Sequence, residues 1–152
     1  MKVGIVGSAQ DKFVPETERK AREIIREILL SAEKPVTVVS GRSPLKGVDI
    51  YAEEIAAELG IPTDIKAPKT HSWDGDYGYK ARNLDIARDS DKVHVVVVKE
   101  YPPGYSGRRF ASCYHCERMP GNDPRGHKKS GGCFTAMQAK RMGKRAVWHI
   151  IE

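Results

Sequence analysis

Val93, Val95, Val96, Val97 and Val98 form a run broken only by His94. As a strand this run is apolar on both faces, so both must be covered, and the usual way to cover both faces of a strand is with helices packed on either side of a parallel sheet. Lys2 to Val6, Val36 to Ser40, Ile61 to Ala67 and Ala146 to Ile151 are further short β-branched runs, and helical patterns separate them. Ala21, Ile24, Ile25, Ile28 and Leu29 recur at i, i+3, i+4, i+7 and i+8, which predicts a helix over 16–32 with one buried face. Ala52, Ile55, Ala56 and Leu59 make a second stripe, stopped by Gly60 ahead of Pro62. A third helix is expected over 79–89 with Ala81, Leu84 and Ala87 inward, and a last one over 132–142. Strands alternating with helices predict an α/β chain, a Rossmann-like three-layer α/β/α fold with about five parallel strands and the valine run in the middle.

The length of 152 residues is that of one domain, expected over 1–152. One stretch departs from the plan. Between Val98 and Gly131 some thirty residues rich in Pro, Gly, Tyr, Cys and basic side chains carry no periodicity, an insertion of a length that is usually functional or separately stabilised. No run approaches the ~20 apolar residues of a membrane span, and no signal-peptide pattern precedes the first strand, so a cytoplasmic chain without membrane contact is expected.

Three cysteines cannot all pair, and they sit in the insertion as Cys113, Cys116 and Cys133, with His127 between them. The spacing C-x2-C-x10-H-x5-C suits a tetrahedral ion, with two thiolates on one tight turn and a later His and Cys completing the set. Structural zinc is the occupant such closed N/S ligands favour, with His115 as the alternative to His127. A metal here would staple a loop that has no core of its own. Because Cys133 follows directly on Gly131-Gly132, it would also pin the insertion over the edge of the sheet.

Three segments carry small residues where a parallel sheet opens at its carboxyl edge: Gly7-Ser8-Ala9, Ser40-Gly41-Arg42-Ser43-Pro44 and Ser130-Gly131-Gly132. Glycine lets backbone approach an anion, and a helix amino terminus offers unpaired N–H groups. Arg42 adds a fork able to grip a phosphate. The excess of Lys and Arg over Asp and Glu, 26 against 20, is compatible with an anionic partner without requiring one.

With Val39-Ser40-Gly41-Arg42, Gly47-Val48-Asp49, Ala81-Arg82-Asn83 and Gly131-Gly132-Cys133-Phe134-Thr135 in this order, the chain resembles the SLOG superfamily, which includes the Lonely Guy phosphoribohydrolases and the DNA-processing A proteins. The resemblance implies a nucleotide-like phosphorylated ligand, and it suggests a homodimer. Gly7 and Ser8 from the carboxyl-edge loops, with Gly41, Arg42, Asp49, Arg82, Asn83, Gly131, Gly132 and Thr135 from the segments that carry the resemblance, are expected to line the ligand site. Two positions depart from the family's Gly-Gly-x-Gly-Thr-x-x-Glu loop: Phe134 replaces its third glycine and Gln138 its glutamate. An amide cannot act as general base, so the expectation is a sensor, or an enzyme on a nucleoside phosphate that does not use family-type hydrolysis. Asp49, Glu53 and Glu54 are the remaining carboxylates near the site.

His94 and His149 fall inside strands and read as packed, hydrogen-bonded residues. His71, Trp73 and Tyr77 offer rings at the edge of the crevice. Tyr101 and Tyr105 with Arg108, Arg109, Arg118, Arg125, Lys128 and Lys129 support a different reading, a zinc-containing nucleic-acid-binding module.

Overall fold

A computed structural model describes residues 1–118 and 127–152. It is an α/β fold with one five-stranded, all-parallel sheet: β1 (Lys2–Gly7), β2 (Thr37–Ser40), β3 (Thr63–Ile65), β4 (Lys92–Val98) and β5 (Arg145–Ile151). The helices are α1 (Pro15–Ser31), α2 (Val48–Glu58), α3 (Tyr79–Asp89), the four-residue α4 (Tyr114–Glu117) and α5 (Gly131–Arg141). The strand order β3-β2-β1-β4-β5 is Rossmann-like, with its switch point between β1 and β4. Among the described residues no helix is long and apolar enough to cross a membrane.

Each face of the sheet has its own core. Val3, Ile5, Val38, Val96 and Val98 pack beneath α1 and α2 with Ile25, Leu29, Tyr51 and Ile55. Val6, Val39, Val93, Val95 and Val97 pack beneath α3 and α5 with Ile86, Ala136 and Ala139, and all three cysteines belong to this second core. The valine run of β4 thus feeds both faces alternately, as its composition requires. It is not the middle of the sheet, however. β1 holds that place, and β4 lies between β1 and the edge strand β5. Cover on both faces is common to every interior strand, so it could not distinguish the two.

Local chemistry sets the helix ends. Pro15 opens α1, where its missing N–H costs nothing, and the Thr17 hydroxyl accepts from the Val14 N–H at 3.0 Å. Gly47 precedes α2 with φ +79°, and a Cβ there would lie 2.3 Å from the Ser8 carbonyl oxygen, so only glycine allows the β2–α2 loop to close on the end of β1. Helix α3 is rotated from its expected face: Asn83, Ile86 and Ala87 are buried, while Ala81 and Leu84 are half-buried. The expected strand over 61–67 shortens to Thr63–Ile65, an edge strand with no buried residue.

Candidate functional site: a polar cavity beside a Cys3His cluster

A cavity of about 460 Å³ opens at the carboxyl end of β1, within the range of small-ligand sites. Gly7 and Ser8 from β1, Asp49 from α2, Arg82 and Asn83 from α3, and Gly131 and Gly132 from α5 all line it. Seven of the ten residues expected there are therefore brought together. Gly41 lies behind the lining and gives its carbonyl to Arg82 Nη1 at 2.6 Å. Arg42 turns away to pair with Glu53 at 2.7 Å, and Thr135 is fully buried with no partner for its hydroxyl among the described residues. Glu54 pairs with Arg22, so Asp49 alone of the three nearby carboxylates faces the cavity.

Asp49, Arg82 and Asn83 form one wall. Asp49 Oδ2 accepts from the Ser43 N–H at 3.0 Å and lies 3.8 Å from Arg82 Nη1, and Arg82 Nε donates to Asn83 Oδ1 at 2.8 Å. Burial pushes the Asp49 carboxyl above its ordinary value, against the pull of the Arg82 charge, and burial likewise lowers the Arg82 guanidinium. Asn83 is 5% exposed, and its carboxamide nitrogen has no partner among the described residues, so it is a donor reserved for the cavity. Ser8 behaves similarly. Its oxygen accepts from the Val98 N–H at 3.3 Å, which leaves the hydroxyl hydrogen to donate elsewhere.

The floor is the start of α5. Ser130 caps it, accepting from the Gly132 N–H at 3.2 Å with its hydroxyl and from the Cys133 N–H at 3.1 Å with its carbonyl, and the Gly131 N–H has no partner among the described residues. A Cβ on Gly131 would meet nothing within 4 Å, whereas one on Gly132 would come within 2.9 Å of the Gly7 nitrogen. Lys12, Lys46, Arg108 and Lys129 join Arg82 around the cavity, five cations against the carboxylates of Asp11 and Asp49. Trp73, Tyr79, Tyr105 and Phe110 supply rings. Lys12, Lys46 and Tyr79 had no local signal: they sit at loop and helix-start positions where periodicity is silent.

The insertion builds a wall of stacked rings and cations. Tyr101 and Tyr105 stack at 4.6 Å with Arg109 over both, and the Phe110 N–H donates to the Tyr101 hydroxyl at 2.7 Å. Lys12 lies 5.3 Å over Tyr105, tying this strap to the body of the protein. Arg125 lies outside the described residues. His71 stacks on Tyr79, and Tyr77 is exposed beneath Lys69.

Next to the floor, Cys113, Cys116, His127 and Cys133 are all buried, with their donor atoms within 4.8 Å of one another. No disulfide joins the cysteines. A tetrahedral zinc would place such atoms roughly 3.3–3.8 Å apart, so the four can hold a metal ion after small adjustments. The His127 tautomer is fixed by its neighbour: Nδ1 lies 2.8 Å from the Lys128 carbonyl, which can only accept, so Nε2 keeps its lone pair and faces Cys116 Sγ at 3.3 Å. His115 is buried among Tyr114, Phe134 and Trp73, outside the cluster. Hydrogen bonds from Cys116 and Cys133, then from the Cys116 and Ser130 amides, hold the Cys113 thiol well below its ordinary value, and Cys133 is pushed up in turn. Three buried sulfurs crowd one another here, and a divalent cation would let all three ionise.

Comparison of the chain with models of known families, with curated proteins and with solved structures finds no match.

Proposed function

We propose that this chain is a SLOG-type nucleotide-binding protein whose cavity takes a nucleoside phosphate, with a structural zinc held by Cys113, Cys116, His127 and Cys133. The observation that carries the reading is the composition of the cavity: a helix-start amide with no partner among the described residues, five cations, two buried donors and four rings around one space. Phosphate suits the Gly131 amide with Lys129 and Ser8, and a flat base suits the rings of Trp73, Tyr79, Tyr105 or Phe110. Zinc matches a closed set of three thiolates and one imidazole, which leaves no position for a reacting group and so makes the metal structural.

Calorimetric titration of the zinc-loaded protein with AMP, GMP, ADP and inorganic phosphate tests the assignment. Nucleotides should bind and raise the melting temperature, and Lys129→Ala should weaken them on the order of tenfold, the loss of one charge-assisted contact. No heat and no thermal shift with any of the nucleotides would refute it. A second reading, single-stranded nucleic acid on the insertion, draws on the cation-over-ring pairs of Arg109 with Tyr101 and Tyr105, Arg118 with Tyr114, and Lys128 with Tyr101. Its mark would be oligonucleotide affinity that falls steeply with salt.

A further inference from the structure

The floor of the cavity is bracketed by metal donors. Lys129, Ser130, Gly131 and Gly132 line the cavity, His127 lies just before them and Cys133 directly after. Within this short span the donors and the floor share their hydrogen bonds. His127 bonds the Lys128 carbonyl, the Lys128 N–H bonds the Val98 carbonyl at 3.0 Å, and the Cys133 N–H bonds the Ser130 carbonyl at 3.1 Å. The opposite wall hangs on the same cluster. Arg108 and Phe110 line the cavity a few residues before Cys113, and Lys129 Nζ lies 5.4 Å over Phe110 and 5.6 Å over Tyr114.

We infer that the metal cluster and the cavity are one thermodynamic unit, so that zinc and a nucleoside phosphate each raise the affinity for the other; this rests on the nucleotide-binding reading above. Without the ion, the 127–133 span loses both end anchors and the strap of rings loses its root. A ligand would then have to bear the cost of ordering the floor before using its amide and its lysine. Zinc meets that cost in advance. Linkage makes the effect reciprocal: the factor by which zinc strengthens the nucleotide is the factor by which the nucleotide strengthens zinc. The cavity would accordingly empty when zinc is withdrawn, although no donor atom of the cluster needs to touch the ligand.

The test uses AMP as probe and zinc competition against a chromogenic chelator at equilibrium. Saturating AMP should tighten zinc binding tenfold or more. AMP affinity should fall by the same factor in protein stripped of metal under reducing conditions, and return on adding zinc. His127→Cys, which keeps four donors, should retain the coupling, and Cys116→Ser should abolish it. The zinc-competition arm needs only the loaded protein, so it stands even where the stripped protein or Cys116→Ser unfolds. AMP binding that leaves zinc affinity unchanged overturns the inference while sparing the nucleotide reading. Failure of AMP, GMP and ADP to bind the loaded protein overturns both.

Discussion

Replacing Arg82 by Met should be among the most damaging single changes in the cavity, because one guanidinium answers three buried acceptors. Its Nη1 serves the Gly41 carbonyl at 2.6 Å and faces Asp49 Oδ2 at 3.8 Å, and its Nε serves Asn83 Oδ1 at 2.8 Å. Both side chains of the ion pair are about a tenth exposed, 10% and 11%, so water cannot take over freely. Removing one partner of a buried pair typically costs about 3–5 kcal/mol, because the other charge is left uncompensated. At roughly 2–4 °C per kcal/mol for a chain of this length, the melting temperature should drop by roughly 6–20 °C. Asp49→Asn should rescue part of that loss, since it removes the stranded charge while its carbonyl can still accept from Ser43. The double variant should therefore be more stable than the sum of the singles by about 0.5–3 kcal/mol. The pH dependence has a defined sign. Burial already raises the Asp49 carboxyl and Arg82 opposes that, so deleting Arg82 raises it further. A carboxyl raised in the folded state contributes most below its unfolded value, near 4, and loses that contribution as pH rises. Wild type and Arg82→Met therefore lose stability in parallel just above about pH 4, and the deficit should widen as pH rises past the raised wild-type Asp49 value. Thermal and urea denaturation of the four proteins at several pH values measures all of this. A cost under about 1 kcal/mol, strict additivity, or a deficit that grows as pH falls would refute the argument.

Protein purified without chelator should carry one zinc per chain by elemental analysis, and Cys113→Ser should lose it; a metal-free, fully reduced and folded wild type would contradict this. His94 Nδ1 lies 2.9 Å from His149 Nε2, and burial with the neighbouring His149 charge lowers His94 to about 4. The unfolded chain, with histidine near 6.5, therefore binds more protons between about pH 4 and 6.5, and stability should fall as pH drops through that window by an amount on the order of 3 kcal/mol. His94→Gln should flatten this part of the profile, and an unchanged slope would show that the pair does not titrate. Gly7→Ala places a Cβ 1.9 Å from the Val96 carbonyl oxygen and should prevent stable folding, whereas Gly131→Ala meets nothing and should keep the melting temperature but weaken AMP. The reverse order would misplace the floor. Thr135→Val should be neutral or stabilise by up to ~1 kcal/mol, because the Thr135 hydroxyl is buried without a partner among the described residues; lost nucleotide binding there would restore Thr135 to the ligand site.

The valine run, the helical stripes and the glycine turns made the layers and the carboxyl-edge position of the cavity legible, because each is a local pattern with one dominant physical cause. The cysteine spacing was legible for the same reason, while the choice between His127 and His115 was not. That choice depends on which ring the backbone carries to the sulfurs, where the Lys128 carbonyl meets His127 Nδ1, and not on spacing. Arg42 shows a complementary limit. Its guanidinium could have gripped a phosphate, but Glu53, one helix turn beyond Asp49, reaches it first, and no pattern in the chain ranks an internal carboxylate against an external anion. Asn83 is the most telling residue. An Asn on the buried face of a helix, in step with Ile86 and Ala87, is costly unless its polar ends are used, and only one end is used among the described residues. A buried polar side chain at an apolar position therefore identifies the wall of the cavity more sharply than the surface arginine that the loop motif suggested, and it could have been found by asking which helix position breaks its own stripe.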